Sequence, residues 1–134
     1  MAKKPQFFHL KPEMEQSYCM SMAVRAGDYV FIGGLTSTDD DGNEVHADDA
    51  ALQMKRIYEI LDKILKHYGG TPQDIVSEVI YYTTTADEFN TTLFPHRQAF
   101  YGADGPSVAG MQVVGFTDPY IKVETTHIAY LPEG

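Results

Sequence analysis

The sequence predicts an α/β (α+β) fold in which a mixed β-sheet carries two helices on one face. Segments rich in β-branched and aromatic residues alternate with helical segments, and one long segment repeats its apolar residues at intervals of three and four. The predicted order is strand, strand, helix, strand, helix, strand, strand. Because 134 residues suffice for one core, we expect a single domain over residues 1–134.

The first half of the chain predicts a hairpin and a long helix. In MAVRAGDYVFIGGLT, two strands join at residues 26–28, and the apolar run of residues 29–32 indicates a strand covered on both faces. From Asp48 to Tyr68 the apolar residues follow a helical period. This predicts an amphipathic helix that begins at an aspartate cap and ends at Gly69-Gly70.

The next segments predict a short helical turn at residues 71–74, a buried strand in IVSEVIYYTTT and a second helix. Residues 85–88 have the spacing of a capping box, which begins that helix. Pro95 breaks or kinks it, so its regular part begins there.

The chain ends in two strands. GADGPSVAGMQVVG, residues 102–115, reads as a turn that opens onto a strand, which is the usual lip of a binding cleft. The last strand covers residues 120–130 and places alternate side chains on opposite faces. His127 shares one face with Val123 and Thr125, whereas Glu124 and Thr126 share the other. The sheet face without helices is apolar in many places, so we expect identical subunits to cover it.

Composition and charge exclude several classes of protein. The net charge is −9, from 10 basic and 19 acidic residues, and Lys3-Lys4 is the only basic cluster, so we expect no nucleic-acid partner. No stretch approaches the ~20 apolar residues of a membrane span, and none resembles a signal peptide. The single cysteine, Cys19, fits a reducing compartment. These features predict a cytoplasmic protein without a membrane partner.

Neither a metal site nor a cofactor is predicted. The acidic loop from Ser37 to Asp48 follows the spacing of a calcium loop, but its first and last positions lack the required carboxylate and glutamate ligands. The five histidines show no zinc-ligand spacing. Gly33-Gly34 lacks the remaining residues of a phosphate loop, although glycine there lets a ligand approach the backbone closely.

Four stretches together resemble one family. They are AVRAGDYVFIGGLTSTDDDGNEV, the helix with Gln53 near its start, DIVSEVIYYTTT, and an ending in which GPS is followed by VETTHIA. The pattern, from about Tyr18 to Leu131, is similar to the Rid family of reactive imine and enamine deaminases, also called YjgF-like. The resemblance implies a chorismate-mutase-like subunit that forms a homotrimer, with three ligand clefts between subunits.

Four positions depart from the family pattern. In the family's deaminases an arginine two residues after the proline of the lip clamps the substrate carboxylate, and here that place holds Val108. Met20 replaces a cleft tyrosine, Gly33 replaces a serine, and Thr126 replaces the second glutamate of a VEIE run. These departures indicate a changed substrate or a loss of catalysis.

Other features implied by the resemblance remain. Gly34 keeps a carbonyl, Gly110 an amide and Thr126 a hydroxyl to hold a water, and Glu124 matches the family's first glutamate. Glu124 or His127 is the candidate for proton transfer. Arg97 is a candidate replacement for the lost clamp. The predicted site residues are, as catalytic, Glu124, Thr126 and His127, and as substrate-binding, Tyr18, Met20, Gly33, Gly34, Arg97, Ser107, Val108 and Gly110.

The leading hypothesis is a divergent Rid-like hydrolase that releases ammonia from a small imine or enamine without the usual α-carboxylate. Two alternatives stay open. One is a non-catalytic trimer that binds a small apolar or aromatic ligand in the same clefts. The other is a different reaction on a nitrogen-containing aromatic breakdown product.

Overall fold

The computed structural model describes residues 3–133 and contains one six-stranded sheet. In chain order the strands are β1 (Gln6–Phe8), β2 (Ala23–Ala26), β3 (Tyr29–Leu35), β4 (Ile75–Tyr82), β5 (Ser107–Gln112) and β6 (Val123–Tyr130). Their spatial order is β1–β2–β3–β6–β4–β5. Only β4 and β5 pair in parallel, because a helical segment connects them; all other pairs are antiparallel. The predicted mixed sheet is confirmed.

The helices are α1 (Pro12–Ser17), α2 (Ala50–His67), α3 (Ala86–Glu88) and α4 (Phe94–Tyr101), with a 3₁₀ turn at Pro72–Asp74 and a π-helical turn at Phe89–Leu93. Helices α2 and α4 pack together over one face of the sheet. None of the helices within residues 3–133 has the length and apolar character needed to cross a membrane.

The ends of α2 follow the predicted signals. The Asp49 carboxylate accepts a hydrogen bond from the Leu52 amide at 3.0 Å. At the other end Gly69 has a φ of 73°, a conformation that favours glycine, and the Gly70 amide donates to the Leu65 carbonyl at 2.8 Å. Both boundaries therefore lie within two residues of the prediction.

The second predicted helix begins where its capping signal lies. The Thr85 hydroxyl accepts from the Glu88 amide at 3.1 Å, and the chain then passes through the π-helical turn into α4. Pro95 has no N–H to donate to the carbonyl four residues earlier. The regular helix accordingly begins at Phe94, as the proline predicts.

Two elements were not predicted, namely β1 and α1. Strand β1 pairs with β2 at the edge of the sheet. Helix α1 begins at Pro12 and contains the buried Glu15, whose carboxylate accepts hydrogen bonds from the Lys11 and Met22 amides. Hydrogen bonds from backbone amides to a side-chain carboxylate produce no periodic pattern of apolar residues, so hydrophobic patterning did not reveal this segment.

Strand β6 begins three residues later than predicted. The Gln53 side chain donates to the Tyr120 carbonyl and accepts from the Lys122 amide, each at 2.8 Å. This stretch therefore bonds to α2 and not to a neighbouring strand. Within β6 the predicted alternation is confirmed: Val123, Thr125, His127 and Ala129 are buried against the helices, and the intervening residues face the other way.

A buried polar cluster lies between the sheet and the helices. Glu78 of β4 is 1% exposed. Its carboxylate accepts hydrogen bonds from the Tyr58 and Tyr101 hydroxyls, at 3.1 and 2.7 Å, and from Arg97 Nε at 2.8 Å. His127 Nδ1 lies 3.4 Å from the same carboxylate. Burial and, secondly, the Arg97 guanidinium lower the pKa of His127 to about 3, so the imidazole is neutral.

We predict that Arg97→Met lowers the free energy of unfolding by about 3–5 kcal/mol, because it leaves the Glu78 carboxylate buried without its cation. The matched control is Lys66→Met, which removes an exposed ion pair with Asp62 and should cost less than about 1 kcal/mol. Urea unfolding of both variants measures the difference. Equal losses in the two variants would contradict the structural role of the cluster.

Candidate functional site

A cavity of about 750 Å³ lies at one end of the sheet. It lies where the end of β3 and the start of β6 meet α1, the acidic loop and the loop before β6. The residues that line it are Lys11, Met14, Tyr18, Met20, Met22, Gly34, Leu35, Thr36, Thr38, Gly42, Glu44, Ile60, Gly115, Phe116, Thr117, Ile121 and Glu124.

A second cavity, of about 330 Å³, adjoins the first. Gly34 and Glu124 line both, together with Gly115 and Phe116. The smaller cavity adds Tyr81, Val113 and Thr126. The two cavities therefore meet at the Gly34 backbone and the Glu124 carboxylate, and we take this junction as the candidate site.

Glu124 is half-buried and has no hydrogen-bond or ion-pair partner for its carboxylate among residues 3–133. Burial raises its pKa above the ordinary value of 4.5. A side chain at Gly34 would place its Cβ 3.0 Å from the Glu124 Cδ, so glycine leaves the room that this carboxylate occupies. The site thus holds a desolvated acid whose oxygens are free for a ligand or a water.

Thr126 and Gly33 lie opposite each other in the β3–β6 pair. A Cβ at Gly33 would lie 3.0 Å from Thr126 Cγ2, and the φ of 136° at Gly33 also disfavours a side chain. The two departures from the family pattern therefore fit each other sterically. Thr126 lines the smaller cavity, next to Glu124.

Tyr18 and Met20 line the larger cavity from the segment that follows α1. Tyr18 is 73% exposed and stands at the rim, whereas Met20 is half-buried against the core. Of the predicted site residues, the structure therefore brings together Tyr18, Met20, Gly34, Glu124 and Thr126, with Gly33 directly behind Thr126.

Two predicted site residues lie elsewhere in the subunit. His127 points to the helix-covered face and is 2% exposed, because adjacent residues of a strand project to opposite faces. Its Nε2 is 2.7 Å from the Thr125 hydroxyl. Arg97 is paired with Glu78 in the core cluster and does not line either cavity. Within the subunit, therefore, neither side chain lines the cavities that meet at the Glu124 carboxylate.

The lip residues Ser107, Val108 and Gly110 belong to β5, at the far edge of the sheet. Strand β4 separates β5 from β6, and the three residues line neither cavity. All six residues of β5 are exposed, including Val108 at 48%. Within one subunit, therefore, the lip and the Glu124 junction do not meet.

Sequence reasoning missed Lys11, Glu44 and Phe116, which all line the larger cavity. Lys11 lies in the segment for which no element was predicted, and Phe116 lies in a loop. Glu44 belongs to the acidic loop that was considered only as a calcium site. Among residues 3–133 no group of three or more histidine, cysteine or acidic side chains could hold a metal ion.

Comparison with known proteins places these features in a family. The model of the Endoribonuclease L-PSP family matches residues 9–131. The 3-aminoacrylate deaminase RutC of Acinetobacter baylyi is 31% identical over 65 residues, which are 48% of this chain and 52% of that protein. A RutC family protein of Pyrococcus abyssi is 30% identical over 81 residues, or 60% of this chain. The matches span only 52% and 62% of the length of these two relatives.

The fold is also similar to solved structures. A member of the YjgF/YER057c/UK114 family from Mycobacterium tuberculosis superimposes with a TM-score of 0.79. It is 23% identical, and the alignment covers 96% of this chain and 100% of the other. Because the family model covers nearly the whole chain and the fold agrees, this protein belongs to the Endoribonuclease L-PSP family, which is the YjgF or Rid family.

Proposed function

We propose that the protein is a divergent hydrolytic deaminase that releases ammonia from a small imine or enamine. The observation that carries the proposal is the unpaired, desolvated carboxylate of Glu124 at the junction of the two cavities. Similarity to a 3-aminoacrylate deaminase supports the type of reaction. A carboxylate with a raised pKa can exchange protons near neutral pH more readily than an exposed one.

In the proposed reaction, the Gly34 carbonyl and the Thr126 hydroxyl hold a water beside Glu124. The carboxylate takes a proton as the water oxygen attacks the imine carbon, and the electrons of the C=N double bond move to the nitrogen, which gains a proton. The C–N bond of the resulting carbinolamine then breaks, ammonia leaves and a C=O bond forms. An enamine first gains a proton on carbon. One water is consumed, and no redox step occurs.

The second wall of the cleft is proposed to come from a neighbouring subunit of a homotrimer. The exposed strand β5 supports this arrangement, as does the open sheet face, which carries Tyr29, Phe31 and Tyr130, each between 43% and 47% exposed. In such an assembly Ser107, Val108 and the Gly110 amide of one subunit lie across from the Glu124 junction of the next.

The substrate is proposed to lack the usual α-carboxylate. Val108 offers no charge where the deaminases of the family have an arginine, and the Arg97 Nε already donates to the Glu78 carboxylate at 2.8 Å. A charged bidentate pair contributes roughly 1.5–3 kcal/mol to binding, so its loss weakens α-imino acid binding by about tenfold or more.

A non-catalytic binding protein is the second candidate. The departures at Gly33 and Thr126 favour it, since the first lacks the serine hydroxyl and the second the glutamate carboxylate of the family pattern. The cavities would then hold a small ligand without converting it. Turnover measurements distinguish the two candidates.

The family name also refers to endoribonucleases, but RNA fits this chain poorly. The net charge is −9, and Glu44 and Glu124 both line the larger cavity. A phosphate backbone requires clustered lysine and arginine side chains. We therefore do not propose RNA as the substrate.

We predict that Glu124→Gln reduces ammonia release from imines without an α-carboxylate by about 10²-fold or more, because the variant cannot accept the proton of the attacking water. A coupled assay for ammonia measures the rate of release above the spontaneous rate in each variant. Glu59→Gln, a change of an exposed carboxylate on α2, is the matched control and should retain the wild-type rate.

Light scattering should give both variants a mass three times the 15.0 kDa of the chain. An unchanged rate in Glu124→Gln would refute the catalytic role of this residue. Absence of turnover in the wild type, with ligand binding retained, would favour the binding protein. A monomer mass would remove the second wall of the proposed cleft.

We further predict that Val108→Arg raises kcat/KM for α-imino acids by about tenfold, because it restores a bidentate partner for the substrate carboxylate. Val108→Met, which adds length without charge, should give no such gain. The comparison uses an α-imino acid and a matched imine without the carboxylate. An equal gain in both variants would mean that side-chain length, and not charge, controls the specificity.

A further inference from the structure

The larger cavity holds more negative than positive charge. Glu44 lines it from the acidic loop and Glu124 from β6. Burial raises the pKa of Glu44, and a hydrogen bond from the Thr36 hydroxyl at 3.4 Å partly opposes this effect. The carboxylates of Asp118 and Glu124 also raise this pKa, so the two cavity carboxylates lie close enough to repel each other. Repulsion of this kind is relieved when a cation binds between the carboxylates.

The remaining walls are apolar and polarisable. Three methionines, Met14, Met20 and Met22, line the cavity together with Tyr18 and Phe116. Thioether and aromatic side chains adapt to irregular apolar ligands, and aromatic faces attract cations. A volume of about 750 Å³ lies in the range of small-molecule sites. The cavity can therefore hold the apolar part of a ligand, and it also presents two carboxylates to that ligand.

Glu44 is positioned by a folded loop. Thr38 and Glu44 form a β-bridge, and the Val45 amide donates to the Ser37 carbonyl at 3.0 Å. The Asp39 carboxylate accepts from the backbone amides of residues 41 and 43, both at 2.9 Å, which closes the turn between these two segments. The acidic loop, whose spacing resembles that of a calcium loop, therefore places Glu44 at the cavity.

Lys11 lines the cavity too and offsets only part of its negative charge, since one ammonium group faces two carboxylates. Its ammonium group donates to the Thr38 hydroxyl at 2.7 Å and is attracted by Asp39, Glu15 and Asp40. Burial and the neighbouring Arg56 lower the pKa of Lys11. Lys11 also lowers the pKa of Glu44, whereas the carboxylate of Glu124 has no hydrogen-bond or ion-pair partner among the described residues.

We infer that the cavity selects a substrate with a positively charged nitrogen on an apolar body, and that Glu44 is the residue that recognises the charge. The inference rests on the proposed function, because it names the substrate class of the same site: a protonated imine, or an imine that carries an amine. It agrees with the absence of a cation at Val108, since such a substrate has no carboxylate to clamp. Glu124 then faces the reacting carbon, and Glu44 stands at the mouth of the cavity.

Equilibrium binding of three probes of one shape tests the inference without turnover. The probes are benzylammonium, benzyl alcohol and benzoate, titrated calorimetrically into the protein at neutral pH. The wild type should bind benzylammonium more tightly than benzyl alcohol, and benzoate least. Because Glu44 is exposed at the mouth, Glu44→Gln should weaken benzylammonium binding by only about fivefold and leave benzyl alcohol unaffected.

Glu88→Gln, on the exposed surface of α3 and outside both cavities, is the matched control and should bind all three probes as the wild type does. Equal affinity for benzylammonium and benzyl alcohol, or no change in Glu44→Gln, would overturn the inference. If the charge preference holds and depends on Glu44 while no imine is hydrolysed, the inference stands and the proposed catalysis fails.

Discussion

The hydrogen-bond register of strand β6 is the constraint on which the candidate site depends. The strand lies between β3 and β4 and pairs with both, so it cannot shift without breaking two ladders. Because side chains alternate along a strand, this register sends Thr125 and His127 into the core and Glu124 and Thr126 to the cavities. A shift by one residue would exchange the two sets and bury the Glu124 carboxylate under α2.

Glu78 and Glu124 lie on opposite faces of the sheet, and their carboxylates differ in whether the fold already uses their hydrogen-bonding capacity. Glu78 is buried and accepts hydrogen bonds from two tyrosines and an arginine, so its lone pairs are used within the fold. Glu124 is half-buried with no such partner among residues 3–133, and burial raises its pKa. Stability therefore depends on the first group, whereas the second is free to act on a ligand.

Much of the fold could be predicted because its signals are local. The apolar period of α2, its aspartate cap and its terminal glycine each act within a few residues, as does the effect of Pro95. Segments β1 and α1 escaped prediction because contacts outside each segment hold them: β1 pairs with β2, and the Glu15 carboxylate of α1 accepts from the Met22 amide.

The candidate site could be predicted only in part. Alternation along a strand put Glu124 and Thr126 on one face, and that prediction is confirmed. The position of Arg97 was not predictable, since its partner Glu78 lies 19 positions away and no pattern links the two. Glu44 was missed for a similar reason: only the folded loop shows that it lines a cavity with Glu124.

The most direct test of the account is the ionisation of Glu124 itself. Carboxyl carbon resonances of glutamate-labelled protein, followed by NMR against pH, give its pKa, and the Glu124→Gln variant identifies the signal. The account predicts a midpoint above 4.5, because a desolvated carboxylate without a partner resists ionisation. A midpoint at or below 4.5 would show a carboxylate that is solvated or already paired, and would contradict its assignment as the acid–base group of the site.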